Sequence, residues 1–264
     1  MSKQVSQDLG EELAYQARQA GLSSAVRPTP AETFRRYREH RRWRTCNKEF
    51  LFHCVARAAP KRICDFGCGA GETSTELAAI GFRVVGFDLS PDLIALARER
   101  ARLDRVEDKC EFVIANANAL EMQAGRFDLV LVQNVLHHLE LAEGLATLHA
   151  LLAPGGVALI QEPIALSPLL QWLRDHSPVP KDISPNEHQI NAGDLRLIEE
   201  RFEVVEHRHF HLLRRLGRFV PERHAWMHGV VHRALERVDF VLLALIPPLR
   251  RFAGQIVLVC QRRA

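Results

Sequence analysis

Three glycines lie close together directly after a short apolar run. The segment ICDFGCGAGET, residues 63–73, places them at positions 67, 69 and 71. A strand that turns through glycines into a helix presents free backbone N–H groups at the carboxyl edge of a parallel sheet, where α/β proteins bind ligands. The spacing therefore predicts a ligand site in which the backbone itself makes contacts.

The charges around this loop narrow the choice of ligand. A dinucleotide fingerprint needs its third glycine three positions after the second, and residue 72 is glutamate instead. Glu72 at the start of the helix would repel a pyrophosphate, and Asp65 ahead of the loop favours a cation over a dianion. A ligand with an adenosine, an ammonium and a sulfonium, and without phosphate, fits these residues better.

Residues 63–71 and the motifs that follow resemble class I S-adenosylmethionine-dependent methyltransferases. The first motif of that family reads hydrophobic-x-(D/E)-x-G-x-G-x-G. The later segments stand in the family's order: VVGFDLS (84–90), FVIANANAL (112–120), FDLVLVQNVLHHL (127–139) and LLAPGGVALIQEP (151–163). The chain departs from the family at Asn116, where an acidic residue is common, although the amide oxygen can still accept a hydrogen bond from adenine.

The resemblance implies S-adenosyl-L-methionine as the cofactor and S-adenosyl-L-homocysteine as the product. Asp88 ends its predicted strand, where a carboxylate would accept hydrogen bonds from both ribose hydroxyls. The predicted cofactor-binding residues are Asp65, Gly67, Cys68, Gly69, Gly71, Asp88, Leu89, Asn116, Ala117, Gln133 and His138.

Three side chains near the ends of the fourth and fifth predicted strands are candidates for catalysis. Methyl transfer is an in-line displacement that needs mainly positioning, and a general base is required only for an acceptor that ionises poorly. By the resemblance, His138 stands where many members carry a histidine that packs under the cofactor, and His137 where glutamate is frequent. We predict His137, His138 and Glu162 as catalytic; the alternatives are packing for the histidines and surface exposure for Glu162.

A proline-rich segment follows the fifth predicted strand. Residues 163–194 carry five prolines, and irregular loops above a sheet edge often determine specificity. The predicted substrate-contacting residues are Trp172, Arg174, His176, Glu187 and His188.

Apolar runs alternate with helical periodicity through the middle of the chain. Strands are predicted at 62–66, 83–88, 111–115, 127–133, 157–162, 202–210 and 254–262. This alternation predicts an α/β fold with a parallel sheet. The resemblance adds the Rossmann-like methyltransferase sheet, in which the last strand is antiparallel and inserted beside the fifth.

The same reading divides the chain into two parts. We expect residues 1–60 to form an N-terminal helical cap and residues 61–264 to form the methyltransferase domain. Within that domain, 163–200 and the mostly helical insertion 211–252 are expected on the acceptor side.

Charge is distributed unevenly, although the formal net charge is only +3. Residues 27–62 carry a net +8, residues 63–200 a net −11 and residues 201–264 a net +7. Segment 211–252 also carries large apolar residues, and three interpretations stay open: a cover over a hydrophobic acceptor, a helix on a membrane surface, and a packing or homodimer face.

Histidines and cysteines are the remaining candidates for metal or redox chemistry. His207, His209 and His211 alternate along a predicted strand, and His224, His228 and His232 have helical spacing. The sequence places no cysteine or carboxylate to complete a metal shell, so no metal is predicted. The six cysteines show no zinc-type pairing, and without a signal peptide we expect a cytoplasmic protein.

These features predict an enzyme that methylates a small-molecule or lipid-like metabolite, with oxygen as the acceptor atom. N- or C-methylation and a non-catalytic cofactor-binding protein are alternatives. A nucleic-acid methyltransferase would use the basic segments, but QNVLHH stands where such enzymes carry a (D/N)PPY-like signature. Nucleic acid is therefore not the expected partner, and the glycine spacing disfavours a dehydrogenase.

Overall fold

A seven-stranded sheet forms the centre of the structure. The computed structural model describes residues 45–116, 125–176, 189–219 and 225–263, together with 26–31 and single positions at 17, 21 and 33. The strands are β1 (Ile63–Phe66), β2 (Val84–Asp88), β3 (Cys110–Ile114), β4 (Phe127–Gln133), β5 (Leu152–Pro163), β6 (Phe202–Phe210) and β7 (Gln255–Arg262).

The order of the strands is β3-β2-β1-β4-β5-β7-β6. β7 pairs antiparallel with both β5 and β6, whereas β1 to β5 pair in parallel. The predicted Rossmann-like sheet, with its last strand inserted antiparallel beside the fifth, is confirmed. β5 begins five residues before its predicted start at 157, because Leu152 already pairs with Phe127 across a register shift.

Helices cover both faces of the sheet. They are α1 (Asn47–Ala58), α2 (Glu72–Ala79), α3 (Pro91–Leu103), α4 (Leu141–Leu151), α5 (Pro168–Asp175), α6 (Ala192–Arg201) and α7 (Ala225–Leu245). Short 3₁₀ turns lie at Leu136–His138, Arg214–Phe219 and Pro247–Phe252.

Local sequence explains where these helices begin. Ser90 accepts a hydrogen bond from the Leu93 N–H, and Pro91 occupies the first turn of α3. At α6, the Asn191 side chain accepts from the Gly193 and Asp194 N–H groups while Asp194 accepts from the Asn191 N–H. This capping box fixes the start of the helix that leads into β6.

The helices bury apolar stripes against the sheet. α4 buries Leu141, Leu145 and Leu148, which have the spacing of one helical face. On the opposite face, Phe50 and Leu51 of α1 are fully buried in a cluster with residues of β4, β5 and β7. Part of the predicted N-terminal cap is therefore built into the core, and a domain division at residue 60 stays a prediction.

The parallel register brings four strand ends to one edge. Phe66 of β1 lies level with Phe87 of β2 and Val132 of β4, and Gln133 lies level with Gln161 of β5. The loops that leave β1, β2, β4 and β5 therefore meet at the carboxyl edge, where a ligand site is expected.

Gly71, which precedes α2, packs closely against α3. Its φ is +75°, and an added Cβ would lie 2.8 Å from Ala97 Cβ in α3. Gly155 has nearly the same φ, +73°, but no atom lies within 4 Å of an added Cβ. Comparing substitutions at the two glycines therefore distinguishes the energetic cost of backbone strain from that of steric contact.

We expect Gly71→Ala to lower the free energy of unfolding by roughly 2–5 kcal/mol, since it adds overpacking to left-handed backbone strain. Gly155→Ala carries only the backbone strain, about 1–2 kcal/mol. Urea unfolding measures both values. Equal losses in the two variants would mean that the contact with Ala97 does not limit residue 71.

Candidate active site

A cleft opens at the carboxyl edge, between the ends of β2 and β4. Its volume is about 810 Å³, including the solvent at its mouth. Seven of the predicted cofactor-binding residues line it: Gly67, Gly69, Asp88, Leu89, Asn116, Gln133 and His138. Ala117 lies outside the described residues.

Asp88 joins the glycine loop to the start of α3. Its Oδ2 accepts a hydrogen bond from the Gly69 N–H at 2.9 Å, and its Oδ1 accepts one from the Ser90 N–H at 2.9 Å. A carboxylate offers about four acceptor positions. Asp88 is therefore suited to hold the loop and to receive a pair of ligand hydroxyls.

Gly69 presents bare backbone to the cleft. Its φ is +52°, and an added Cβ would meet no atom within 4 Å, so the space above it is open to a ligand. Cys68 and Gly71, by contrast, do not line the cleft, because the thiol packs against Gly86 and Gly71 packs against α3. These two predicted cofactor-binding residues shape the loop from behind.

A buried carboxylate organises the loop that leaves β4. Glu162 is 1% exposed, and its Oε1 accepts hydrogen bonds from the Val135 and Leu136 N–H groups, both at 2.8 Å. Its Oε2 lies 2.6 Å from Nδ1 of His137, which is also buried. Surface exposure of Glu162, the alternative considered above, is wrong.

The two neighbouring histidines have different surroundings. His138 lines the cleft, whereas neither His137 nor Glu162 does. The rings of His137 and His138 are 4.1 Å apart between centroids. The His137–Glu162 pair therefore positions the loop and the His138 ring, and direct catalysis by His137 or Glu162 stays a prediction.

The comparisons with known proteins agree with this geometry. Residues 63–156 match a family described as "Methyltransferase domain". The chain is 37% identical over 103 residues to a ubiquinone biosynthesis O-methyltransferase of Aromatoleum aromaticum, covering 38% of this chain and 43% of the relative. It is 30% identical over 133 residues to the norajmaline N-methyltransferase of Rauvolfia serpentina, covering 50% and 43%.

Residues 63–156 of this chain thus match a methyltransferase domain. The chain spans less than half the length of the curated relatives it matches. A third relative is a demethylmenaquinone methyltransferase of Clavibacter sepedonicus. It is 38% identical over 109 residues, which are 41% of this chain and 43% of that one. The methyltransferase fold itself extends further, as the solved structures show.

Two solved structures share the fold of the methyltransferase domain over most of the chain. An S-adenosylmethionine-dependent methyltransferase of Methanosarcina mazei has a TM-score of 0.56 at 20% identity, covering 80% of this chain and 96% of that one. The [4+2]-cyclase SpnF has a TM-score of 0.58 at 18% identity, covering 85% and 84%. At these identities the likeness concerns the fold alone.

The residues of the methyltransferase cleft fit S-adenosylmethionine, the cofactor of this family. Asp88 suits the two ribose hydroxyls, and Asn116 supplies an amide for the adenine edge. The open backbone at Gly69 leaves room for close approach, and Glu72 disfavours a phosphate at the start of α2. The donor set thus matches a cationic ligand without phosphates.

Asn134 is a residue of the methyltransferase cleft that sequence reasoning missed. Its φ is +56°, and its Oδ1 accepts a hydrogen bond from Gln255 Nε2 at 3.0 Å. Gln255 Oε1 in turn accepts from Asn47 Nδ2 at 2.5 Å. Asparagine after a buried strand is a weak signal for a left-handed turn, but nothing in the sequence indicates Gln255 or Asn47 as its partners.

The predicted substrate-contacting residues are not on the cleft where the structure describes them. The Trp172 ring, which is exposed, stacks on His176 at 4.5 Å between centroids. Arg174 belongs to α5, but its side chain is outside what is described, as are Glu187 and His188 entirely. Contact of these residues with a substrate stays a prediction.

The histidine triplets do not form a metal centre in the described part of the chain. There, no group of three His, Cys, Asp or Glu side chains is arranged to hold a metal ion. His224 and the side chain of His228 fall outside that part. Among the described helices, none has the length and apolar character needed to cross a bilayer.

Asp65 lies behind the glycine loop. Its carboxylate accepts a hydrogen bond from Ser74 Oγ at 2.6 Å and is buried. Burial, aided by the nearby charge of Asp88, raises the pKa of Asp65 to about 6, although the Ser74 hydrogen bond opposes the shift. Asp65 does not line the cleft, and its direct contact with the cofactor stays a prediction.

This raised pKa predicts a pH dependence of stability. Between about pH 4, the unfolded value, and pH 6, the native state keeps the Asp65 proton that the unfolded chain releases, so stability falls as pH rises. The side chain introduced by Asp65→Asn still accepts a hydrogen bond from Ser74. Because it does not titrate, it lacks the loss of stability with rising pH. We expect the difference in unfolding free energy to move in favour of Asp65→Asn by about 3 kcal/mol from pH 4 to pH 7.

Urea unfolding at several pH values measures that difference. A constant offset between Asp65→Asn and the wild type across the range would contradict the prediction.

Proposed function

We propose that the protein is an enzyme that transfers a methyl group from S-adenosylmethionine to an oxygen atom of a small-molecule or lipid-like metabolite. The observation that carries the proposal is Asp88, held by the Gly69 and Ser90 N–H groups at the edge of a cleft that His138 also lines. The match to O-methyltransferases supports the small-molecule acceptor.

Different residues of the cleft bind different parts of the cofactor. Asp88 binds the ribose, Asn116 binds adenine, and the backbone at Gly67 and Gly69 approaches the methionine portion. When bound, S-adenosylmethionine supplies a methyl group on a sulfonium, whose thioether leaves without needing a proton. The cleft walls orient the acceptor for in-line attack and exclude water.

His138 is the residue placed to accept the proton of the acceptor hydroxyl. A hydroxyl acceptor needs a general base, and histidine has a pKa suited to that role near neutral pH. His138 lines the cleft next to a ring that the Glu162–His137 pair holds in place. This arrangement supports oxygen as the acceptor atom, with N-methylation as the runner-up because a relative carries that name.

Asp88→Asn tests the cofactor site. The substitution keeps the size of the side chain but removes the charge that strengthens its hydrogen bonds to the ribose. We expect isothermal titration to show S-adenosylhomocysteine binding weakened by about 30- to 100-fold, the equivalent of one charged hydrogen bond. Asp92→Asn, an exposed carboxylate in the first turn of α3, changes the net charge equally and should bind normally.

Turnover then tests the reaction itself. Wild-type protein with ¹³C-methyl-labelled S-adenosylmethionine should label a metabolite from a cell extract, and the carbon chemical shift of the transferred methyl distinguishes oxygen, nitrogen and carbon acceptors. Failure of the folded wild type to bind either cofactor form would refute the proposal. Binding without any methyl transfer would leave a non-catalytic protein.

We propose further that the exposed face of α7 lies on an anionic membrane surface. Val230, Val238, Val241 and Leu245 are exposed along one side of the helix, and Leu245 is 75% exposed. Exposed arginines flank this stripe at positions 233 and 237. An apolar stripe bordered by arginines is typical of a helix that binds at the lipid interface.

Vesicle flotation tests this contact. We expect the protein to float with vesicles containing phosphatidylglycerol but not with phosphatidylcholine alone, and Leu245→Asp to reduce flotation by about tenfold. Leu197→Asp, on the exposed side of α6, is the matched control. A concentration-dependent dimer in light scattering that Leu245→Asp abolishes would instead assign this face to a homodimer.

The cysteines support a cytoplasmic location, which we propose on that basis. All six, at 46, 54, 64, 68, 110 and 260, are free thiols. Burial raises the pKa of the Cys64 thiol well above its usual range, so it stays protonated and unreactive. Free, protected thiols are typical of reducing compartments.

A further inference from the structure

A second cavity lies between β6 and α7, away from the cofactor cleft. Its volume is about 710 Å³, including the solvent at its mouth. One wall carries His207, Arg208 and His209 from β6, and another carries Phe240 and Leu243 from α7. Arg250, which follows α7, completes the lining, so the cavity combines cationic and apolar groups.

The two carboxylates on the cavity wall are already bound by the protein. Asp239 accepts hydrogen bonds from the backbone N–H groups of residues 212, 213 and 214, at 2.9, 2.7 and 3.0 Å. Glu236 accepts one from Arg214 Nε at 3.1 Å. These contacts hold both carboxylates against the segment after β6, where backbone N–H groups stabilise the charge of Asp239 and Arg214 offsets that of Glu236.

Arg250 is held in place but is not neutralised. Its Nε donates to the carbonyl oxygen of Leu243 at 3.0 Å. Within the described residues, no carboxylate forms an ion pair with Arg250. A guanidinium fixed through one nitrogen presents its two terminal nitrogens as a fork that suits a carboxylate, phosphate or sulfonate.

Arg208 adds a second cation fixed by aromatic rings. Its guanidinium carbon lies 4.1 Å from the centroid of Phe50 and 5.6 Å from that of Phe240. Cation–π contacts of this kind hold the side chain in place. Phe240 thus provides apolar surface next to a fixed positive group.

His209 supplies a hydrogen-bond donor and no charge at neutral pH. Burial, together with the neighbouring His207 and Arg250, lowers the pKa of His209 to about 4. A neutral imidazole donates a hydrogen bond from one ring nitrogen. At neutral pH the cavity therefore offers an anion the guanidinium of Arg250, with His209 as an uncharged donor.

We propose that this cavity binds a small organic anion, with the acidic group on Arg250 and an apolar body against Phe240 and Leu243. We assign the ligand as the methyl acceptor, an assignment that rests on the proposed function.

The position of the cavity supports that assignment. Phe210, on the cavity wall, is paired with Gln255, whose side chain donates to Asn134 on the wall of the cofactor cleft. A single residue, Gln255, thus joins the walls of the two sites. An acceptor anchored by its acidic end in the cavity would extend along this edge toward His138.

The test compares two fluorescent probes that differ only in an acidic group. 8-Anilinonaphthalene-1-sulfonate carries a sulfonate, and N-phenyl-1-naphthylamine is the same molecule without it. We expect Arg250→Ala to weaken binding of the sulfonate probe by about tenfold or more while leaving the neutral probe unchanged. Arg251→Ala removes the same charge one residue away, outside the cavity lining, and should leave both affinities unchanged.

S-adenosylhomocysteine binding, measured on each variant, reports whether the fold is intact, and Arg250→Gln provides a second variant that keeps a donor. Equal losses for Arg250→Ala and Arg251→Ala, or no loss for either, would overturn the site. Asp88→Asn should leave sulfonate binding unchanged, which separates this site from the cofactor cleft.

The assignment of the acceptor has its own readout. If the cavity holds the acceptor, saturating sulfonate probe should block labelled methyl uptake from a cell extract without displacing S-adenosylhomocysteine. Arg250-dependent probe binding without inhibition would overturn the acceptor assignment and leave the anion site. If the wild type neither binds S-adenosylhomocysteine nor transfers methyl, the proposed function fails, and the probe comparison alone decides the site.

Discussion

The candidate active site depends on one buried carboxylate, Glu162. Removing such a group from water costs several kcal/mol unless hydrogen bonds replace the lost hydration. Here the Val135 and Leu136 N–H groups and the His137 ring supply them. Because Glu162 ends β5 and its partners follow β4, the interaction joins two strand ends and fixes the loop between the cofactor cleft and the sheet. His138 takes its place on the cleft wall as a consequence.

Sequence reasoning found the half of the site that is local in the chain. The glycine loop and Asp88 were predictable because each function needs a particular residue type at a short spacing from a strand end. The role of Glu162 was not, because its partners are backbone N–H groups and a histidine about 25 residues away. Gln255, 121 residues from Asn134, had no signal at all. Contacts that depend on the order of the strands in the sheet cannot be predicted from the spacing of residues along the chain.

The family match and the β6–α7 cavity involve different parts of the chain. The family match covers residues 63–156, which include the glycine loop, Asp88 and the cleft-lining residues of the β4 loop. The β6–α7 cavity is lined by residues outside this match, including its arginines and histidines. On the functions proposed above, donor binding and acceptor choice are encoded in different stretches of the sequence.

The insertion of β7 between β5 and β6 has a consequence for the order of folding during synthesis. β6 leaves the ribosome before β7, yet it pairs only with β7 in the sheet. Until β7 emerges, β6 has no strand partner, and β5 exposes an unpaired edge. Gln255 opens this last strand and bonds Asn134, so the join between the two cavities forms at the end of translation. A nascent chain would complete its glycine loop well before it could assemble the β6–α7 cavity.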